Sequence, residues 1–231
     1  MLVPMTLPQP TDPDYYSRAI ELQKAIAKRV IAADQYGKIN YVCGVDVSYR
    51  DNIAYCCAAV VRRSDLSFVE SAYAKMAVRQ PYIPGLFMLR ESGPIMHTLT
   101  LLKSDFDLLM VDGHGQLHPR KCGLACYIGV TINKPAMGVA KKLLCGKVRK
   151  NGKVAGGGSV ELDGQVFGRV ISKRKRRKNG YTINKTYVSV GHRISLESAV
   201  RFAKELTRRS EWIPEPLRIA DAGSKNRANF V

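Results

Sequence analysis

Hydrophobic and polar positions alternate along the first third of the chain in patterns that predict one helix and three strands. Residues 14–34 carry apolar side chains at helical spacing, so an amphipathic helix is expected there. Three strand-like runs follow at 41–49, 53–62 and 66–78, and turn residues such as Asp51-Asn52 separate them. Closely spaced runs of this kind predict a three-stranded antiparallel meander.

The rest of the chain alternates between helices and strands. A proline-rich loop at 80–85 precedes them, and Asp163-Gly164 is a favoured two-residue hairpin turn. In chain order we expect a helix at 86–102, a strand at 107–112, a helix at 124–132, strands at 137–141, 159–162, 165–171 and 181–190, and helices at 196–209 and 215–222.

This order of elements resembles that of an RNase H-like domain. We therefore expect an α/β fold with a mixed sheet, in which an antiparallel three-stranded meander is followed by parallel strands, with helices flanking the sheet. No internal repeat or long linker divides the sequence, so residues 1–231 are expected to form a single domain.

Three carboxylates stand at the places where such a fold delivers them to one point. Asp46 interrupts an apolar strand, Glu91 lies early on the second predicted helix, and Asp112 ends the strand at 107–112. A charge inside a buried strand costs on the order of several kcal/mol unless it is paired or binds a metal. Since Gly44 and Ser48 are the small neighbours of Asp46 on its face of the strand, room is left for a ligand.

Charge indicates the kind of partner. The formal net charge is +18, from 37 Lys and Arg against 19 Asp and Glu. Such an excess favours a polyanion, above all nucleic acid, over the alternatives of a generally basic protein or one that touches acidic membranes. Three converging carboxylates in a chain this basic favour a metal-dependent nuclease.

Other features bear on the compartment. No apolar run reaches the roughly 18 residues of a transmembrane helix, and the first residues lack the pattern of a signal peptide. The six cysteines include no Cys-x-x-Cys pair and several lie in predicted core strands, so we expect them to be reduced. A cytoplasmic protein without membrane contact is expected.

Short motifs across the chain resemble the signature blocks of the endonuclease V family, in the right order and spacing over residues 14–222. The similarity lies in Val45-Asp46-Val47-Ser48, Pro81-Tyr82-Ile83-Pro84-Gly85, Val111-Asp112-Gly113-His114-Gly115, His118-Pro119-Arg120, Gly138-Val139-Ala140-Lys141, Gly191-His192-Arg193 and the run Pro214–Asp221. A basic insertion falls near 172–180.

The resemblance implies an RNase H-like endonuclease that depends on Mg2+, for which Mn2+ substitutes. Its substrate would be DNA with deoxyinosine, or RNA with inosine as in some family members. The family hydrolyses the second phosphodiester bond 3′ to the deaminated base, leaves 3′-hydroxyl and 5′-phosphate ends, and acts in DNA repair. We expect a monomer, because nothing in the sequence demands an oligomer.

The resemblance also suggests the role of each acidic and basic residue. Asp46 and Asp112 are expected to bind the metal directly, and Glu91 to bind it through water or to orient the nucleophile. Asp221 would complete the acidic cluster. Lys141 would stabilise the transition-state phosphate or orient water.

Two substrate-contacting features follow from the same resemblance. A stiff wedge at Pro81, Tyr82, Ile83 and Pro84 would hold the strands of a duplex apart. A pocket for the flipped base would present backbone groups to its Watson–Crick edge. Its expected members are Gly85, Leu86, Gly113, Gly115, His118, Gly123 and Leu124.

Several alternatives are open. His114, His118, Cys122 and Cys126 recur every four residues and would suit zinc, although Gly115 and Pro119 break the helix that this spacing assumes. The basic run 173–178 is either a solvated loop, a localisation signal or a phosphate-binding segment. A structure-selective RNase H-like nuclease would ignore inosine, and a non-catalytic nucleic-acid-binding protein would bind without cutting.

Overall fold

The structure is a computed structural model that describes residues 7–149, 157–177 and 180–229. Its helices are α1 (Tyr15–Ala27), α2 (Phe87–Thr100), α3 (Leu124–Ile132), α4 (Leu196–Glu205) and α5 (Glu215–Asn229). Its strands are β1 (Tyr41–Arg50), β2 (Ile53–Arg62), β3 (Phe68–Ala77), β4 (Leu108–Val111), β5 (Ala136–Ala140), β6 (Lys147–Arg149), β7 (Gly157–Leu162), β8 (Gln165–Arg177) and β9 (Gly180–His192).

One mixed sheet contains all of these strands, in the order β3-β2-β1-β4-β5-β9-β8-β7-β6. β1, β2 and β3 form the expected antiparallel meander, and Asp51 and Asn52 join the first two strands with φ angles of 49° and 58°. β1 then pairs with β4 in parallel, and β4 with β5 in parallel. The fold class predicted from the sequence, an α/β mixed sheet flanked by helices, is confirmed.

Helices cover both faces of the sheet and define two cores. On one face, Ile26 of α1, Leu89 of α2 and Ile128 of α3 pack against β1 and β4. On the other face, Phe202 of α4 and Leu217 of α5 pack against the opposite side of the same strands. Strands buried on both faces carry near-continuous apolar runs, which is why β4 is Leu-Leu-Met-Val. Among the described residues, no helix combines the length and apolarity that crossing a bilayer requires.

Several predicted boundaries were wrong. The first helix ends at Ala27 and does not reach residue 34, because the backbone N–H of Ile31 donates to Nδ1 of His192 (3.3 Å) instead of bonding within a helix. The strand expected at 165–171 continues to Arg177 through basic residues that show no hydrophobic alternation. β6 was missed because its three residues are all exposed.

Candidate active site

Parallel pairing brings the middle of β1 together with the carboxyl ends of β4 and β5 at one edge of the sheet. Val45 lies opposite Val111, and Val111 lies opposite Gly138. Asp46 follows the first of these residues and Asp112 follows the second, while Lys141 comes directly after β5. Polar side chains at the carboxyl ends of parallel strands converge on a common crevice, and the sequence supplies two carboxylates and a lysine there.

The carboxylate cluster consists of Asp46, Asp112 and Asp221. Each offers a carboxylate oxygen, and these atoms all lie within 4.8 Å of one another. Asp221 comes from α5, which packs on the face of β1 that carries Gly44, Asp46 and Ser48. The structure therefore brings Asp221 to the place that the resemblance suggested for it. Oxygen ligands in this number suit a hard divalent cation.

Lys141 is ion-paired within the cluster. Its Nζ lies 2.6 Å from Oδ2 of Asp112 and 2.6 Å from Oδ1 of Asp221. Burial opposes its charge, but the two carboxylates outweigh that effect and raise the pKa of Lys141 above its ordinary value. Lys225 donates to the other oxygen of Asp221 at 2.7 Å. The carboxylates of Asp112 and Asp221 thus already stabilise one positive charge between them, that of Lys141.

Asp46 carries the least compensated charge of the cluster. Burial and the nearby charge of Asp112 raise the pKa of Asp46 to about 7, although a hydrogen bond from Oγ of Ser224 (2.5 Å) opposes the shift. A carboxylate held close to a second one disfavours ionisation of both unless a cation joins them. The donor set and this excess of negative charge fit a divalent metal ion, and Asp46, Asp112 and Asp221 are the residues that would hold it.

Glu91 approaches from the opposite face of the sheet. It lies on α2, is 3% exposed, and accepts a hydrogen bond from the hydroxyl of Tyr49 at 2.9 Å. Burial raises the pKa of Glu91 well above its ordinary value, the Tyr49 hydrogen bond lowers it, and the charges of Asp46 and Asp112 raise it further. Glu91 is not a member of the 4.8 Å cluster. Its expected role through water, or as an orienter of the nucleophile, stays a prediction.

A pocket of about 520 Å³ opens beside the carboxylate cluster. Asp112 belongs both to its wall and to the cluster, and Lys141, which is ion-paired with the cluster, also lines the pocket. The two sites are therefore continuous. Much of the remaining wall is apolar, which suits a flat aromatic ligand. Its other lining residues are Gln23, Tyr82, Ile83, Pro84, Gly85, Phe87, Met88, Gly113, His114, His118, Gly123, Leu124, Ala140, Lys142, Leu143 and Leu144.

Most of the residues expected to form a base pocket line this cavity, but Leu86 and Gly115 do not. Leu86 is 4% exposed and packs in the core beneath α2. Gly115 is glycine for a packing reason, because a Cβ there would lie 1.9 Å from the carbonyl oxygen of Val190. Sequence reasoning missed Phe87 and Leu143, whose apolar character is shared by many core residues of the chain and gave no distinguishing signal.

Hydrogen bonds to the carbonyl oxygen of Gly85 hold the proline-rich loop against the residues around the pocket. This oxygen accepts hydrogen bonds from Nε2 of Gln23 (2.9 Å) and Nη2 of Arg120 (2.6 Å), and it lies 3.0 Å from Nε2 of His118. Gly85 has a φ of +78°, a conformation that glycine adopts without strain. This arrangement fixes the loop that carries the expected wedge.

His118 therefore has a structural role at the pocket wall. Its Nδ1 accepts the backbone N–H of Arg120 at 3.2 Å, while its Nε2 faces the oxygen of Gly85. Burial and the charge of Arg120 lower the pKa of His118 to about 4, so the ring is neutral near pH 7. Both ring nitrogens thus contact protein groups, while the residue lines the pocket.

The expected wedge stands at the mouth of the pocket. The side chain of Tyr82 is 66% exposed and meets Phe87 edge to face, with 6.0 Å between ring centroids. Pro81 and Pro84 are exposed on either side, and Ile83 lines the pocket. An exposed aromatic ring on a stiff, anchored loop beside a pocket is a geometry suited to separating stacked bases.

The zinc alternative is not supported within the described part of the chain. His114, His118, Cys122 and Cys126 do not form a group within reach of one ion there. His114 Nε2 lies 2.9 Å from the carbonyl oxygen of Lys142, and Cys126 Sγ lies 3.5 Å from that of Val190. All six cysteines are free thiols.

The basic run is not a loop over most of its length. Residues 173–177 continue β8, and residue 178 lies outside the described residues. Lys173 donates from Nζ to the carbonyl oxygen of Arg208 at 2.7 Å, and the guanidinium of Arg174 lies 3.5 Å from the ring centroid of Tyr181.

Comparison with known proteins gives one consistent result. The sequence model of the family described as endonuclease V matches residues 24–222. Endonuclease V from Thermofilum pendens is 40% identical over 204 residues, covering 88% of this chain and 84% of the relative.

Solved structures agree with the sequence relatives. The crystal structure of endonuclease V from Streptomyces avermitilis superposes with a TM-score of 0.83 at 30% identity, covering 97% of this chain and 98% of that one. Endonuclease V from Ciona intestinalis, in complex with a 24mer DNA containing an inosine followed by a ribo-adenosine, gives a TM-score of 0.77 at 26% identity, with 90% and 95% covered.

Proposed function

Because this chain belongs to the endonuclease V family, we propose that it is a Mg2+-dependent endonuclease that recognises hypoxanthine in nucleic acid. In this proposal it hydrolyses the second phosphodiester bond 3′ to the deaminated base and leaves 3′-hydroxyl and 5′-phosphate ends. The inosine-containing DNA bound by the Ciona intestinalis relative supports the substrate class.

One observation carries the proposal: the pocket and the carboxylate cluster share Asp112, and Lys141, the ion-pair partner of Asp112, also lines the pocket. A base that enters the pocket brings its own backbone to the carboxylates, so recognition and hydrolysis act on one strand. Extruding a base requires unpairing and unstacking on the order of a few kcal/mol, which is least for a mispaired base such as hypoxanthine.

The acidic and basic residues divide the chemistry. Asp46, Asp112 and Asp221 would hold the metal ion, which when bound activates water and neutralises charge on the leaving oxygen. Lys141 places an ammonium next to the scissile phosphate, where added negative charge develops in the transition state. Glu91, held by Tyr49 through one oxygen, has its other oxygen to orient the attacking water.

The pocket wall would distinguish hypoxanthine from adenine. The two bases differ at one exocyclic position, where hypoxanthine has a carbonyl oxygen and adenine an amine. A backbone N–H from the segment around Gly113 or from Leu124 would donate a hydrogen bond to the carbonyl oxygen of hypoxanthine. The same N–H would disfavour adenine, because an unpaired buried donor costs about 1–3 kcal/mol. Tyr82 would fill the gap left by the extruded base.

Cleavage of matched oligonucleotides tests this function. The set comprises DNA, RNA, and DNA with one ribonucleotide after the test position, each with inosine or adenosine at that position. We expect an inosine-dependent nick that EDTA abolishes, and the preferred sugar shows the natural substrate. Cutting that ignores inosine would indicate a structure-selective nuclease, and tight binding without cutting would indicate a non-catalytic protein.

A further inference from the structure

Strands β8 and β9 continue past the rest of the sheet as a two-stranded ribbon. β5 pairs with β9 only as far as Ala140 opposite Tyr187, and β7 pairs with β8 only as far as Gly157 opposite Ile171. The pairing of β8 with β9 goes on to Arg177 opposite Gly180. We call residues 172–177 and 180–185 the basic ribbon.

The basic ribbon leaves the sheet at the catalytic edge. β9 runs antiparallel to β5, so the residues before Tyr187 lie beyond the carboxyl end of β5, where Lys141 and the carboxylate cluster are. Gly180 is seven residues before Tyr187. At about 3.3 Å per residue the ribbon extends about 23 Å past that edge.

One face of the ribbon continues the pocket face of the sheet. Tyr187 pairs with Ala140, which lines the pocket, and opposed residues of a pair share a face. Alternation then puts Lys185, Ile183 and Tyr181 on that same face. These three side chains are exposed, Tyr181 by 57% and Ile183 by 62%.

Arg174 completes this exposed face, because β-pairing sets it opposite Ile183. Its guanidinium lies over the ring of Tyr181, 3.5 Å from the centroid. The opposite face is anchored to the protein through Lys173 and the carbonyl oxygen of Arg208. We call Arg174, Tyr181, Ile183 and Lys185 the ribbon row.

We propose that the ribbon row is a second nucleic-acid-binding surface, which holds the sugar–phosphate backbone of the substrate outside the pocket. Arg174 and Lys185 contact phosphates, and Tyr181 and Ile183 contact sugars or unpaired bases, the combination that single-stranded nucleic acid favours. At about 3.4 Å of axis per nucleotide, the 23 Å of ribbon covers about seven nucleotides of flank. The position of this flank relative to the cut rests on the proposed function.

The double variant Arg174→Ser/Lys185→Ser tests the surface against the matched control Lys38→Ser/Arg62→Ser. The control removes the same charge from exposed side chains at the opposite edge of the sheet. Binding is measured by fluorescence anisotropy over a salt series. The probes are a long oligonucleotide and one with about three nucleotides, or about 10 Å, on each side of the test base, too short to cover the whole ribbon. Each probe is made with and without inosine.

We expect the ribbon variant to bind the long probe at least about tenfold more weakly, with the slope of log K against log salt reduced by about 1.4 to 1.8 for two lost phosphate contacts. Affinity for the short probe should fall by less, because its flank of about 10 Å ends before Arg174, which lies about 13 Å beyond Tyr187. Its cleavage rate should match wild type. Equal weakening in the control variant, or unchanged binding of the long probe, would overturn the proposal.

The inosine-free probes separate this proposal from the proposed function. Phosphate contacts carry no base information, so the loss on the long probe is expected with or without inosine. A protein that fails to cut inosine but shows this loss would still have the binding surface. A protein that cuts inosine normally without showing it would lack the surface.

Discussion

At Asp46, burial and function act in opposite directions. The side chain is 9% exposed, and its nearest charged neighbours include another carboxylate, so its pKa is raised to about 7. Replacing it by an apolar residue would remove this unfavourable charge. In the proposed function Asp46 is a charged oxygen ligand of the metal ion, and a carboxylate at this buried position is then expected of a site that trades stability for binding.

Asp46→Asn keeps the shape of the side chain and removes its charge. Wild-type protein should show a rise in Tm with added Mg2+, because a ligand that binds only the folded state stabilises it. In the variant this rise should vanish and cleavage should fall by at least about a hundredfold, while binding of inosine-containing DNA persists. Asp51→Asn, in the exposed turn after β1, is the matched control and should behave as wild type. Undiminished cleavage by Asp46→Asn would remove this residue from the site.

His118 makes the stability of the folded protein depend on pH. Its pKa is about 4 in the folded protein and near 6.5 in the unfolded chain, so below pH 6.5 the unfolded state binds more protons. Stability is therefore fully present above pH 6.5 and is lost as the pH falls toward 4. Protonation of Nδ1 would break its hydrogen bond with the N–H of Arg120.

His118→Gln should flatten the acid limb of the stability curve, which is the decline in the free energy of unfolding between pH 6.5 and 4. The free energy of unfolding of wild type should decline between pH 6.5 and 4 by up to about 3 kcal/mol more than that of the variant. Denaturant unfolding at a series of pH values measures the difference. His97→Gln, at an exposed position on α2, should leave the limb unchanged, and His192 contributes equally in all three proteins. Parallel curves for wild type and His118→Gln would show that His118 is not the titrating group.

At the scale of elements, the close approach of α5 to β1 builds the cluster. Gly44 permits it, because a Cβ at this position would lie 2.4 Å from the carbonyl carbon of Pro216. Ser224, farther along α5, then reaches Asp46, and Asp221 reaches Lys141. A glycine two residues before Asp46 thus sets the position of α5.

Gly44→Ala should force α5 away from the sheet. Overpacking of this kind destabilises by about 1–3 kcal/mol, and displacement of Asp221 should weaken the Mg2+-induced rise in Tm as well. The control is Gly93→Ala on α2, where a Cβ meets nothing within 4 Å and alanine favours the helix. Thermal melting with and without Mg2+ distinguishes the two. A Gly44→Ala protein as stable and as responsive to Mg2+ as wild type would contradict this account of the packing.

The sequence predicted the elements that have a local pattern of apolar residues, and it missed those that depend on contacts between distant residues. Strong alternation located β1 and β2 to within a residue, and the apolar run located β4. The end of β8 was missed because pairing with β9 extends this strand, and its basic residues show no strand-like alternation in the sequence. Asp221 came only from the family resemblance, since α5 reaches β1 across more than 170 residues of chain. Much of the apolar pocket wall was missed for the same reason: Phe87 and Leu143 come to line one pocket only in the folded protein.

At the scale of the whole molecule, one edge of the sheet gathers the chemistry. The carboxylate cluster, the pocket, the wedge at Tyr82 and the basic ribbon all lie at or beyond the carboxyl end of β5. The protein has a net charge of +18, which attracts nucleic acid over a distance that added salt shortens. In the proposed function the pocket holds one base, and the fixed distance from pocket to cluster would determine which phosphodiester bond is cut.

Mapping the nick while inosine is moved along an oligonucleotide tests this coupling most directly. Inosine is placed at successive positions of one sequence, and the 3′ end of the product is read at single-nucleotide resolution in Mg2+. The nick should move by one nucleotide with each step of the inosine and stay at the second phosphodiester bond on its 3′ side. A nick that stays at one place in the sequence, or that moves without a constant offset, would contradict the link between pocket and carboxylate cluster.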